Sequence, residues 1–529
     1  MRIAVETTVD SAVVYRVRFP YNRDLVSSIK KCPGAKYNPD SKTWDILPID
    51  DNKEWLVHND FTIQEKQETI GIAYKVQRIK RFLKSKPRPY QWQGIEYCLE
   101  RDCRAIIGDE MGLGKTLQAI AVMLSSPEIK RVVVVCPAMV KYVWKNQLWQ
   151  HAKIKADVLE GRKPRAVYSK IVVINYDILS YWKEHLKKYD MLILDECHYV
   201  KNRKALRTKA VKEIAKKIPR IVGLSGTPIT SRPAEFFTIL NILHPRQFTS
   251  FMKFGIRYCK GHKSRFGWQF KGATNTKELH DIVSHLCMVR RRKTDVLKEL
   301  PDKVRTVIPV SMDAEGRQNY SDVMNRTSSW MSAFGGDQKK RVEALAMIEY
   351  LKQAAVAGKM KAVVSWLEEW LEDSDEKLVL FTTHRKTIAD LMDHFPNQCV
   401  KLDGSVSKNE RENAIQKFVD NPHIKFFIGN LKAAGTGIDG LQKVCSNVAF
   451  VELGWSPGDH VQAEDRLHRI GQKGSVGVYY LVAENTIEED IALIIDTKRK
   501  VVDRVLDGQD PGGSDLLLEL MGKWRGDVA

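Results

Sequence analysis

Short apolar runs that recur at intervals, with helical patterns between them, constrain this chain more than any other feature. IVVI (171–174), MLILD (191–195) and RIVGLS (220–225) form one such series. KLVLF (377–381), IKFFIG (424–429), NVAFVEL (447–453) and VGVYYLV (476–482) form a second. Strands that read as apolar throughout, and do not alternate, belong to parallel sheets covered by helices on both faces. Two successive series predict two tandem α/β lobes.

At 529 residues the chain is too long for one core. Residues 1–65 read as a separate small module, in which VVYRVRF (13–19) alternates like a strand and PGAKYNPDSKTWDI (33–46) reads as a turn, then a short strand. Residues 66–87 are polar and basic and predict a helical connector. The first lobe is expected over 88–310 and the second over 377–490. An inter-lobe helical or insert region, 311–376, separates them, and its SSWMSAFGGDQKKR stretch (328–341) reads as a polar loop. Residues 491–529 predict a helical brace. No solenoid-period repeat or low-complexity tract interrupts this order.

The formal charge of +20, from 85 basic and 65 acidic residues, favours a polyanion through counterion release, although a merely soluble basic protein would share it. The nine cysteines include no C-x-x-C pair, which argues against a zinc module and for buried thiols in a reducing compartment. No apolar stretch approaches the length of a membrane span, and MRIAVETTVD lacks a signal core, so neither a membrane nor export is expected.

Three motifs carry chemistry. RAIIG (104–108) runs into DEMGLGKT (109–116) and then a helical pattern, which is strand, Gly-rich loop, helix. Amides of Gly112, Leu113 and Gly114 and the helix N-terminus can surround phosphates. Lys115 would reach the β- and γ-phosphates, and Thr116 would hold Mg²⁺. Asp109 stands at the position of the usual first glycine. MLILDECH (191–198) ends a buried strand in two carboxylates: Asp195 to hold Mg²⁺ through water, Glu196 to orient and deprotonate the attacking water. Such a pair can also be an N-cap. In DHVQAEDRLHRIGQ (459–472), Asp459 and Gln462 read as a capping box and Gly471 as the helix stop. Arg466 and Arg469 would share one helical face, as arginine fingers or as a solvated basic face.

Together these pieces resemble the Swi/Snf-type ATPases of helicase superfamily 2, over roughly residues 88–495 and in that family's order. The resemblance implies two RecA-like lobes that hydrolyse ATP with Mg²⁺ and move along double-stranded DNA as a monomeric motor. RPYQWQGI (88–95) is similar to the adenine-reading segment, with Arg88 and Gln91 at the nucleotide. VVVVCPAMVKYVW (132–144) is similar to a DNA-tracking motif. LSGTPI (224–229) resembles the segment that couples hydrolysis to lobe movement. DGSVSKNER (403–411), AAGTGIDG (433–440) and QAEDRLHRIGQ (462–472) resemble the second lobe's motifs, which places Gln462 at the nucleotide too. Cys197 stands where Ala is usual, and Asp439 where Asn is common. By motif position Lys141 and Thr436 face DNA; each can instead be an ordinary surface or loop residue.

SGTPITSRPAEFF (225–237), FGIRYCKGHKSRFGWQFKGATNTKEL (254–279) and VRRRKTDVLKELP (289–301) resemble the branch that contains the HepA-related annealing helicases. Residues 13–46 are similar to the HARP module of those proteins. That likeness implies remodelling of branched DNA or rewinding of complementary strands. Stripping proteins from duplex, serving as the motor of a restriction or defence complex, and a non-catalytic DNA scaffold are the alternatives. No zinc-finger, nuclease or clamp-binding signature is read, and a compact bacterial or viral member, cytoplasmic, is expected; a eukaryotic one would be nuclear. Trp44, flanked by Lys36 and Lys42, reads either as the small module's core or as a base-stacking aromatic. Arg290-Arg291-Arg292-Lys293 reads either as phosphate-binding or as solvated.

Overall fold

In the computed structural model, all residues are described except 1, 10–11, 40, 65–69, 265–266, 333–337, 404–405, 407, 435–439 and 509–529. Thr436 and Asp439 therefore lie outside the described residues. The chain forms two units. Among the described residues, one comprises 1–298 with those from 501 onward, and the other 299–500.

The first unit begins with a five-stranded sheet: β1 (Arg2–Val9), β2 (Ala12–Val17), β3 (Lys36–Asn38), β4 (Thr43–Ile46) and β5 (Phe61–Gln64), in the order β3-β4-β2-β1-β5. Strands β1 and β5 run parallel and the remaining pairs are antiparallel. Ala4, Tyr15, Val17, Ile29, Ile46, Leu56 and Phe61 form its core. Trp44 is half-buried against that core and lies 5.2 Å from the Tyr37 ring, so packing accounts for it. A helix, Ile70–Phe82, occupies the expected connector.

The rest of the unit is built on β6 (Arg104–Ile107), β7 (Val132–Cys136), β8 (Asp157–Val158), β9 (Ile171–Asn175), β10 (Met191–Asp195), β11 (Arg220–Leu224), β14 (Met288–Val289) and a separate hairpin, β12 (His262–Ser264) with β13 (Gly267–Gln269). The main sheet has the order β14-β6-β11-β10-β7-β9-β8 and is parallel throughout. Side chains alternate across it. Ile106, Val133, Leu192 and Ile221 enter one core, and Ile107, Val134, Ile193 and Val222 the other.

The second unit repeats the plan with β15 (Lys303–Val310), β16 (Leu378–Thr382), β17 (Cys399–Leu402), β18 (Phe426–Asn430), β19 (Asn447–Phe450) and β20 (Val476–Ala483), in the order β15-β20-β19-β16-β18-β17, again all parallel. Strand β15 was expected at the end of the first lobe. It pairs instead along its full length with β20, because Arg305 and Lys303 on it carry the counter-charges for Glu464 of this unit. Of the expected loop 328–341, residues 333–337 lie outside the described residues, and the flanks are revised: helices run over Ala314–Ser332 and Gln338–Asp373. A helix spans Ile487–Asp507, and the remainder of the expected brace, 509–529, lies outside the described residues.

Candidate nucleotide site

Parallel strands bring their C-terminal ends to one edge of a sheet, and α/β ligand sites form there. In the first unit that edge carries Gly108 and Asp109 after β6, Asp195 and Glu196 after β10, and Ser225-Gly226-Thr227 after β11. The phosphate-loop strand and the acid strand are not direct neighbours; β11 runs between them.

The loop turns through Gly112 and Gly114, both at positive φ, and Gly114 caps the helix Lys115–Met123 from the left-handed region. A Cβ on Gly114 would lie 2.3 Å from Gln91 Nε2, so both conformation and space require glycine. Gln91 Nε2 donates to the Leu113 carbonyl (3.0 Å) and its Oε1 accepts from the Arg88 N–H (2.8 Å), while the Tyr90 hydroxyl donates to the same Leu113 carbonyl. The segment that carries Tyr90 and Gln91 is thus latched to the loop.

Lys115 Nζ donates to the carbonyls of Asp109 (2.8 Å) and Glu110 (3.2 Å). Burial lowers its pKa, against the pull of the Glu196, Asp109 and Asp195 carboxylates. Asp109 is fully buried. Its carboxylate accepts from Arg291 Nε (2.8 Å), Arg291 Nη2 (2.5 Å) and Gln118 Nε2 (2.8 Å). Arg290 donates to the carbonyls of Gly108 and Gly226 and pairs with Asp507. Arg292 pairs with Asp295, and the Lys293 side chain is buried. The basic tract is therefore largely neither solvated nor open to phosphate: it is the clamp behind the loop.

Asp195 Oδ2 accepts from the Trp144 indole N–H at 2.7 Å, and its carbonyl from the Tyr176 hydroxyl at 2.8 Å. Burial and the adjacent Glu196 push the Asp195 carboxyl up to about 6. Glu196 sits at φ 48°, ψ 56°, a conformation that costs a non-glycine residue on the order of 1 kcal/mol or more. Glu196 Oε2 accepts from the Ser225 hydroxyl (3.3 Å) and lies 3.3 Å from His198 Nδ1, which is 3.0 Å from Ser225 Oγ. Sequence reasoning missed Trp144, His198 and Ser225 as site residues. The LSGTPI likeness was the one signal for Ser225.

In the second unit Gln462 is buried in the helix Pro457–Glu464, which starts at Ser456 with Pro457 in its first turn and not at Asp459. The helix was expected to run to Gly471 with Arg466 and Arg469 on one face. It stops at Glu464. That carboxylate is fully buried under Arg305, Lys303 and the Tyr480 hydroxyl, and the chain then tightens through Arg466 N–H to Ala463 O and Leu467 N–H to Glu464 O. Arg466 and Arg469 stand on these turns, the first buried, the second donating from Nε to the Asp465 carbonyl at 3.0 Å. Lys141, at the start of the helix Lys141–Ala152, donates to the Leu159 carbonyl (3.3 Å) and lies 3.6 Å from Glu160, with little of its side chain exposed.

A Gly-rich loop on a parallel sheet, followed two strands over by an Asp-Glu tip, defines a nucleoside triphosphatase of the helicase type. Residues 90–359 match the SNF2-related domain and 358–471 the helicase conserved C-terminal domain; the chain belongs to the SNF2-related family of helicase-type ATPases. It is 31% identical over 537 residues to the Caenorhabditis elegans "SWI/SNF-related matrix-associated actin-dependent regulator of chromatin subfamily A-like protein 1 homolog", which covers 95% of this chain and 76% of that protein. It is 32% identical over 446 residues to the mouse "DNA annealing helicase and endonuclease ZRANB3", covering 81% of this chain and 41% of that protein. The chain thus spans about two-fifths of the mouse relative's length. Among the described residues no group of three or more His, Cys, Asp or Glu is placed to hold a metal, and no helix is long and apolar enough to cross a membrane.

Proposed function

We propose that this chain is an ATP-driven translocase on double-stranded DNA that remodels branched DNA or anneals complementary strands. The observation that carries the reading is the Glu196–Ser225 hydrogen bond: it joins the residue suited to activate water to the segment that resembles a hydrolysis-to-movement coupler. Relatives of up to 32% identity whose names include annealing helicases point the same way.

In this reading the amides of Gly112, Leu113 and Gly114 hold the triphosphate. Lys115 exchanges the Asp109 and Glu110 carbonyls for phosphate oxygens. Gln91, beside Arg88, keeps one N–H and one lone pair for adenine. Thr116 and Asp195 offer the hard oxygens that suit Mg²⁺, an ion bound through one or two protein groups plus substrate phosphates, and Mg²⁺ neutralises the phosphate charge when bound. Glu196 takes the proton of the attacking water. Arg466 and Arg469, with Gln462, supply the second lobe's share of the nucleotide contacts. Lys141 and Thr436 contribute to backbone contacts that carry no base information.

The test is ATPase activity without DNA and with single strand, duplex and model fork. Strong stimulation by DNA that falls steeply with salt is expected. Equal turnover with and without nucleic acid overturns the reading.

A further inference from the structure

From Phe236 to Lys277 the sequence contains no Asp or Glu and eight Lys or Arg. Within this carboxylate-free stretch lies the β12–β13 hairpin, outside the nucleotide-binding sheet. Its register pairs Lys263 with Trp268, so the two side chains stand together on one face. Phe270, two residues on, shares that face.

The hairpin is anchored by Phe270. A Cβ on Gly255 would come within 2.4 Å of the Phe270 ring and one on Gly261 within 2.8 Å, so the ring fits only against bare backbone. Phe270 meets Phe251 edge-on at 5.0 Å, and the Arg203 guanidinium lies 3.5 Å from the Phe251 centroid. Outward from Phe270, the Trp268 ring lies parallel, at 3° and 6.0 Å. The result is a column, Arg203, Phe251, Phe270, Trp268, filled at one end and 43% exposed at the tryptophan. Lys253, Lys260, Lys263 and Lys271 are exposed around it.

A large aromatic left open to water costs solvation unless something stacks on it, and exposed lysines in a stretch with no carboxylate of its own select a polyanion; the Glu278 carboxylate just beyond it is taken by Arg257 and Tyr258. An unpaired nucleotide meets both demands, offering a flat base and a phosphate. We propose that the hairpin is a single-strand binding site, in which a DNA base continues the stack on Trp268 while Lys263 and its neighbours hold the flanking phosphates. Duplex hides its base faces, so the site reads unpaired DNA at a branch. The inference rests on the DNA-motor reading and gives it a branch-reading element within the first lobe, separate from the N-terminal module.

The experiment uses the full chain and two measurements. Fluorescence anisotropy compares a labelled oligo(dT) with a duplex of equal length for the wild type, Trp268→Ala and Trp268→Phe. Loss of one base stack is expected to weaken oligo(dT) binding about tenfold and duplex binding less than twofold, with Phe restoring most of the loss. In the second, an oligonucleotide carrying 5-iododeoxyuridine is photocrosslinked and the adduct mapped, with the crosslink expected on Trp268. Unchanged oligo(dT) affinity in Trp268→Ala, equal losses on both DNAs, or crosslinks confined to other segments overturn the proposal. Wild-type ATPase on duplex is recorded alongside. Its failure to be stimulated would overturn the motor reading, while the binding and crosslinking results would still decide the hairpin.

Discussion

Arg291 closes the phosphate loop from behind by holding the Asp109 carboxylate through Nε and Nη2, at 2.8 and 2.5 Å. Asp109 stands where phosphate loops usually have glycine, and the arginine explains the exchange: the carboxylate fixes the loop's first residue to β14's end of the sheet. The Asp109 carboxylate is fully buried and Arg291 nearly so, and breaking such a pair leaves an uncompensated charge. Arg291→Met is therefore expected to destabilise the first unit by about 3–5 kcal/mol, and Asp109→Gly by a similar amount. The double variant should lose less than the sum. Thermal unfolding of the four proteins checks this; strict additivity would show that the pair does not act as one.

Ser225 is a positioning residue, since its hydroxyl donates to Glu196 and accepts from the Thr227 N–H. Ser225→Ala leaves Lys115 and Asp195 untouched. The expected outcome is a fall of roughly tenfold in kcat, from one hydrogen bond to a charged group, with KM for ATP within about twofold. Ser225→Thr, which keeps the hydroxyl, should recover part of the rate. A rise in KM at constant kcat would place Ser225 in nucleotide binding instead.

His384 in the second unit lies 2.6 Å from both Glu452 (Nδ1) and Glu349 (Nε2). Hydrogen bonding to Glu452 raises the imidazole above its ordinary value, against burial and the nearby Lys352. Burial alone would raise Glu452; the His384 bond and the Thr383 and Thr387 hydroxyls hold it below the carboxylate range. A group whose folded pKa is raised stabilises fully below its unfolded value, about 6.5, and loses that contribution as pH rises through the folded value. The depressed Glu452 contributes above its unfolded value, about 4.3, and loses it as pH falls. The pair's stabilisation is thus expected to peak between these values. Urea unfolding of wild type and His384→Gln should differ most near pH 6 and least near pH 9, by this sign. A difference that grows toward alkaline pH would contradict the imidazolium.

Strands β9, β10 and β11 of the first sheet and β16, β18, β19 and β20 of the second were legible because a parallel strand buried on both faces reads as an unbroken apolar run, as MLILD does in β10. The loop and acid tip were legible because their chemistry tolerates few residue types. What the sequence hid depends on distant partners. The fate of Arg290 and Arg291 was undecidable without Asp507 and Asp109, both far away in the chain. The end of the arginine-bearing helix was hidden because Glu464 is pinned by Lys303 and Arg305 on β15. Strand β15 itself, half-buried along most of its length, gave no apolar run to place it. Trp144 stood only as the last residue of the VVVVCPAMVKYVW motif, and the fold alone brings its indole N–H to Asp195.

Arg469 tests whether the second lobe takes part in chemistry. Its guanidinium Nε donates to the Asp465 carbonyl at 3.0 Å. Arginine fingers contribute about 10³–10⁵ in rate because their charge meets charge that develops in the transition state. Arg469→Ala is expected to abolish DNA-stimulated hydrolysis while sparing nucleotide affinity. Lys115→Ala, which removes a ground-state phosphate contact as well, should lose both. Arg469→Lys should rescue poorly, because an ammonium keeps the charge but not the planar fork. Nucleotide binding and turnover, measured on the three variants with and without duplex, separate these outcomes. Near wild-type turnover of Arg469→Ala on duplex would remove this arginine from catalysis and leave the second lobe a grip on DNA alone.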